Sequence, residues 1–192
     1  MKFIDTPAFD ELVNSPSELL MMVQLHQLMD GLISDLIEEQ LVEKHHLELR
    51  RIPCAVKIEL AAALGLLKNT GRATLLQINT LRNKFTHEPT ASITEKDARD
   101  LYNATTEEFR AITKRTYADF ETPRDCVGEI FVLTVFLLDR SLEHLRDEKL
   151  YGIAVIEEAE SMLAQRPRPA PPGAATKRID ERFKKLKEEN AR

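Results

Sequence analysis

The sequence predicts an all-α, up-and-down bundle of about five to seven helices with a Pro-rich, basic C-terminal tail, and three observations point to it. Apolar residues recur at three- and four-residue steps almost throughout the chain. Six glycines, no tryptophan and three tyrosines in 192 residues are too few for the turns and strands of a β sandwich or barrel. Helix-start signals precede several apolar stretches, at Ser15-Pro16-Ser17-Glu18, Thr94-Glu95-Lys96-Asp97 and Thr122-Pro123-Arg124-Asp125. Apolar residues at 43% and charged residues at 31% suit a globular core, and the length suits one domain plus an appendage.

The first helix begins with Ser15 as cap, Pro16 in the first turn and Glu18 completing a capping box. It carries Met22, Leu25, Met29, Leu32, Leu36 and Ile37 on one face and runs to about His46. Pro53 starts a second helix with Val56, Leu60, Ala63, Leu64 and Leu67 as its apolar face, ended by Asn69-Thr70-Gly71. Leu75, Ile78, Leu81 and Phe85 carry a third from about Arg72 to Thr86. Pro89 forces it to end by about His87, because the residue before a proline avoids helical geometry. Thr94 caps a polar helix through Leu101, Tyr102, Phe109, Ile112 and Tyr117, broken near Thr105. The next helix, Arg124 to about Leu150, is apolar nearly all round from Val127 to Leu138, the mark of a central helix, and charged beyond. A short helix through Ile153, Ile156 and Met162 closes a helical domain over residues 1–165.

Residues 166–192 differ in kind. Arg166-Pro167-Arg168-Pro169-Ala170-Pro171-Pro172-Gly173 reads as a stiff extended linker. The basic stretch beyond Gly173 is a flexible segment or a short helix. Nine basic against four acidic residues give the tail +5, while 18 against 28 give the other 165 residues −10. It is a solvated tail or an arm for RNA or an acidic protein partner.

Several classes are excluded. A net charge of −5 makes the whole molecule no generic polyanion binder. Cys54 and Cys126 are too few for a disulfide scaffold or a cysteine zinc cage and suit a reducing cytosol, so a cytoplasmic location is expected. Met1-Lys2-Phe3-Ile4-Asp5 holds no signal core, and the apolar run Ile130–Leu138 is far short of the roughly 18 residues a membrane span needs. There is no Gly-rich phosphate loop, no Ser or Cys nucleophile with a recognisable base, and no helix-turn-helix with a basic second helix. His45-His46 after Glu43 invites a metal, but adjacent helical histidines diverge by about 100° and do not share an ion easily. His26 stands on the first helix with nothing chemical around it, and Arg140 with His144 lies on a charged, solvated face. Neither a metal nor a cofactor is expected.

The chemistry concentrates in Arg82-Asn83-Lys84-Phe85-Thr86-His87-Glu88. With Ile78 at zero and about 100° per residue, Leu75 falls at about 60°, Phe85 at about −20°, Leu81 at about −60° and Arg82 at about 40°, inside the apolar arc. A guanidinium there must be paired, hydrogen-bonded or set at a boundary where an anion or second subunit meets it. His87 lies about 140° from Arg82 on an ideal helix. The two converge only if the helix ends before His87 or if two chains each contribute. Helix C-termini favour a protonated imidazole, Arg82 can grip a phosphate through paired hydrogen bonds, and Asn83 can orient ring or ligand. Such a set supports metal-free RNA cleavage. The competing reading is a helix end stabilised by a cationic His, with Arg82 extending from the core edge.

Arg-Asn-x-x-x-His at the end of a bundle helix resembles the signature of the HEPN superfamily. The stretch Val56-Lys57-Ile58-Glu59-Leu60 through Ala63-Leu64-Gly65-Leu66-Leu67, then Leu81 to His87, is similar to its mannitol operon repressor-like branch. The resemblance covers roughly residues 15–145. It implies a homodimer with two motifs facing one cleft, Arg82 and His87 as catalytic residues, and Asn83 as substrate-binding residue of a metal-independent endoribonuclease. The alternative it implies is a non-catalytic, mannitol repressor-like regulatory or protein-interaction module.

Overall fold

The computed structural model describes residues 15–43, 47–68, 71–164 and 174–190. They form seven α-helices and, among the described residues, no strand. The helices are α1 Glu18–Gln40, α2 Cys54–Ala63, α3 Arg72–His87, α4 Glu95–Asn103, α5 Glu107–Thr113, α6 Pro123–Ala164 and α7 Ala174–Asn190. The chain divides into two compact units, Met1–Leu142 and Glu143–Arg192, with the division inside α6. The all-α bundle expected from the periodicity is what the chain builds.

In the first unit α1, α2 and α3 pack mutually, and α4 packs on α3. Met21, Met22, Leu25, Met29, Ile33, Leu36 and Ile37 of α1 are buried, as are Leu75, Ile78, Leu81 and Phe85 of α3. The first half of α6 contributes Cys126, Val127, Ile130, Phe131, Val135 and Leu138. Phe85 and Phe131 are fully buried, each contributing about 1.5–3 kcal/mol relative to exposure.

Several boundaries differ from expectation, each for a local reason. Ser17, not Ser15, caps α1: its hydroxyl accepts from Leu20 N at 3.2 Å, while Ser15 accepts from Ser17 N. Glu18 then reaches across the fold and accepts from Ile93 N at 2.8 Å. Helix α1 ends at Gln40, and His45 and His46 lie outside the described residues. Helix α2 stops at Ala63 because Gly65, at φ 74°, closes a Schellman motif: Gly65 N donates to Ala62 O and Leu66 N to Ala61 O. Gly71 precedes α3 at φ 77°, where a Cβ would stand 2.6 Å from Thr106 Cγ2. Lys114, left-handed at φ 52°, ends α5 before Tyr117, leaving Ile112 exposed. The expected stop near Leu150 is absent, since α6 runs on through Gly152, whose cost of about 1 kcal/mol a long helix tolerates.

The largest correction concerns α2. Of its expected core face, Val56 is 52% and Leu64 43% exposed and Ala63 is exposed, Leu60 is half-buried, and Leu67, just beyond the helix, is buried, while Lys57, Ile58 and Ala61 are the residues α2 buries. The helix is turned so that Lys57, 1% exposed, reaches Asp30 of α1.

Thr94 caps α4 as expected, with a complete capping box: its hydroxyl accepts from Asp97 N at 3.2 Å, and Asp97 accepts from Thr94 N at 2.8 Å. Asp97 also takes Lys84 Nζ at 2.6 Å, tying α4 to the last turn of α3. Thr94→Ala is expected to cost about 1 kcal/mol in urea unfolding, with an unchanged denaturant slope.

In the second unit, the rest of α6 and α7 are joined by charge. Arg182 grips Glu157 with two nitrogens, Arg178 lies 3.3 Å from Glu158, and Lys187 lies 2.5 Å from Asp147. Tyr151 and Phe183 meet edge to face at 5.7 Å. Of the two forms expected for the tail, residues 174–190 take the helical one, and Arg178, Arg182, Lys185 and Lys187 are partnered within the unit.

Candidate functional site

The motif occupies the last two turns of α3. Leu81 and Phe85 anchor these turns in the core, which holds Arg82 at its edge and leaves Asn83 and His87 exposed. The Arg82 guanidinium is split between two environments. Its Nε is shut off from solvent and has no hydrogen-bond partner, while Nη1 donates to Asn83 Oδ1 at 3.2 Å. No carboxylate among the described residues lies within ion-pairing distance of it.

His87 is the last residue of α3, and Glu88 N closes the helix on Lys84 O at 2.8 Å. The helix therefore includes His87, keeping its direction about 140° from that of Arg82. One of the two routes to convergence, a helix ending early, is not taken. The chain brings Arg82 and Asn83 together, and His87 follows on another side of the same helix. Among the described residues His87 makes no side-chain hydrogen bond or ion pair.

Beneath Arg82 lies a polar cluster that the linear sequence conceals. His26 of α1 is buried, contrary to the expectation that nothing chemical surrounds it, and its Nε2 lies 3.1 Å from Asn79 Oδ1, one turn ahead of Arg82. One turn after His26, Asp30 takes Lys57 Nζ on Oδ2 at 2.5 Å, and Lys57 also donates to Ser34 Oγ at 3.1 Å. The clue was Lys57 standing between Val56 and Ile58, a cation where helical period asks for an apolar residue on one face or the other.

Burial lowers the His26 pKa, with Arg82 and Lys57 assisting against the bond to Asn79 and the charge of Asp30. A lowered histidine pKa means the unfolded chain binds more protons below about pH 6.5, so stability falls as pH drops through that value. The unmutated chain should lose up to about 1.4 kcal/mol per pH unit there, and His26→Gln should flatten that slope in urea titrations at pH 7, 6 and 5.

Both thiols are poor nucleophiles. Burial and the charge of Asp30 push Cys54 up to about 12, and burial with Glu129 and Glu95 does the same for Cys126. Cys126 Sγ instead donates to Ala98 O at 3.9 Å. Among the described residues no three His, Cys, Asp or Glu side chains converge as a metal site, and no helix is long and apolar enough to cross a membrane.

The chain matches no known family model, no curated protein and no solved structure.

Proposed function

We propose that this chain is a HEPN-like domain that binds and cleaves RNA without a metal, as a homodimer in which Arg82 of one copy and His87 of the other share a phosphate. The observation that carries this reading is the Arg82 guanidinium, unpaired with any carboxylate among the described residues and seated at the rim of the core with one nitrogen on exposed Asn83. An arginine so placed has hydrogen-bonding capacity for a bidentate anion.

In the reaction, the ribose 2′-oxygen bonds to phosphorus and the bond from phosphorus to the 5′-oxygen breaks. Arg82 stabilises the added charge on the phosphoryl oxygens. Protonated His87 delivers its proton to the departing 5′-oxygen, and the 2′-hydroxyl proton passes to water. Asn83 holds the guanidinium or the ligand in register. The site is cytoplasmic in this reading, where RNA substrates are at hand.

Incubation with mixed RNA in EDTA, beside Arg82→Ala and His87→Ala, tests it. Cleavage that survives chelation and disappears in both variants supports the enzyme. Gel filtration with light scattering checks the dimer.

A second reading is a non-catalytic, mannitol repressor-like interaction module, and the outward apolar side of α2 favours it. Val56, Leu60 and Leu64 succeed one another at four-residue steps, with the first and last exposed. Absence of cleavage, with a stable complex recovered from lysate and lost in Val56→Asp, supports that module.

A further inference from the structure

Two of the buried polar atoms that lack a partner are complementary. Asp30 Oδ1 is an acceptor and Arg82 Nε–H a donor, and neither is reached by solvent. A buried polar atom left unmatched costs about 1–3 kcal/mol, more when charged. Both belong to one cluster: His26 bonds to Asn79, one turn before Arg82 on α3, and Asp30 lies one turn beyond His26 on α1. Both charges act on His26 and on Cys54, and the Cys54 thiol, a weak neutral donor that a guanidinium outcompetes, also lies within hydrogen-bonding reach of the Asp30 carboxylate.

Of the two groups, only one is free to move. Asp30 is short and is held by Lys57, which is itself committed to Asp30 and Ser34. Arg82 has a long side chain, and its outer contact is a single bond to the neutral, exposed amide of Asn83. Moving inward exchanges that bond for a charge-assisted one in a drier setting, and the exchange favours the carboxylate.

We propose that Asp30 is the internal counter-ion of Arg82, and that the guanidinium has two seats: an outer one against Asn83, open to an anion, and an inner one in which it donates to Asp30 Oδ1. The inner seat closes the site while no anion is present. Anion affinity is then reduced by the fraction of molecules with Arg82 inside. This rests on the reading that Arg82 receives a phosphate, but the pairing itself is measurable without any ligand.

The first measurement uses the unmutated chain. The Arg82 Nε–H resonance, assigned by its loss in Arg82→Lys, should lie downfield of that of a free arginine, as carboxylate-bonded guanidinium protons do, and move upfield when a short 2′-O-methyl oligoribonucleotide is added. The second uses Asp30→Asn combined with Lys57→Met, which removes both members of the ion pair at once. That variant should lose the downfield Nε–H shift and bind the oligonucleotide about three- to tenfold more tightly by fluorescence anisotropy. An Nε–H at the free-arginine shift, or a shift unchanged in the double variant, overturns the proposal, as does an affinity that stays level or falls. If no form binds the oligonucleotide while the shift still depends on Asp30, the pairing stands and the RNA reading falls. If the double variant does not fold, the shift in the unmutated chain decides, because Nε is shut off from solvent in the outer seat as well and its exchange rate does not separate the two.

Discussion

Asp30→Ala is expected to destabilise the protein by about 3–5 kcal/mol, the loss typical of breaking a buried ion pair from one side. The asymmetry of the pair sets the size. The Lys57 side chain is only 2% exposed, so removing its carboxylate strands an ammonium in the core, whereas Asp30, at 32%, can still be partly hydrated. Lys57→Met should therefore cost less than Asp30→Ala. Removing both charges with Asp30→Asn and Lys57→Met should return stability to within about 1 kcal/mol of the starting protein, because no charge is left to desolvate and an amide at the partly exposed position 30 can still be hydrated. Urea midpoints for the unmutated chain, Asp30→Ala, Lys57→Met and the double variant check all three statements.

Arg82→Ala and His87→Ala are each expected to lower metal-free RNA cleavage by about 10²–10⁴-fold, the usual worth of a positioned proton donor or charge stabiliser. The double variant should be scarcely worse than either single one, since the two act on the same step. Mixing the single variants gives the sharper result. In a homodimer whose sites each draw Arg82 from one copy and His87 from the other, a mixed dimer keeps one intact site, and random pairing makes half the dimers mixed. The mixture should regain about a quarter of the starting activity. No recovery on mixing would place both residues of a site on one chain, against the continuous helix of α3. The same mixture distinguishes catalysis from a contaminating nuclease, which would be indifferent to it.

Helix α3 was legible almost residue by residue. Its bounds came from Gly71 and Pro89, and Leu75, Ile78, Leu81 and Phe85 are the residues it buries. The Thr94 cap and the break near Thr105 were equally local and equally readable. The α2 face was not. Val56, Leu60 and Leu64 make a better apolar stripe than Lys57, Ile58 and Ala61, and only the presence of Asp30 on another helix reverses the choice. For the same reason His26 looked idle: its partner Asn79 stands 53 residues away.

The helical period, the caps and the apolar spacing of this chain depend on neighbours within a turn or two, so the sequence by itself determined an all-α bundle, the position of α3 and the placement of Arg82, Asn83 and His87 at its end. Tertiary structure alone decided which side of α2 faces inward, that His26, Asp30, Lys57 and Asn79 gather beneath Arg82, and that the C-terminal cations Arg178, Arg182 and Lys187 have partners. Charges are satisfied by whichever group is close in space, and one-dimensional spacing does not carry that distance.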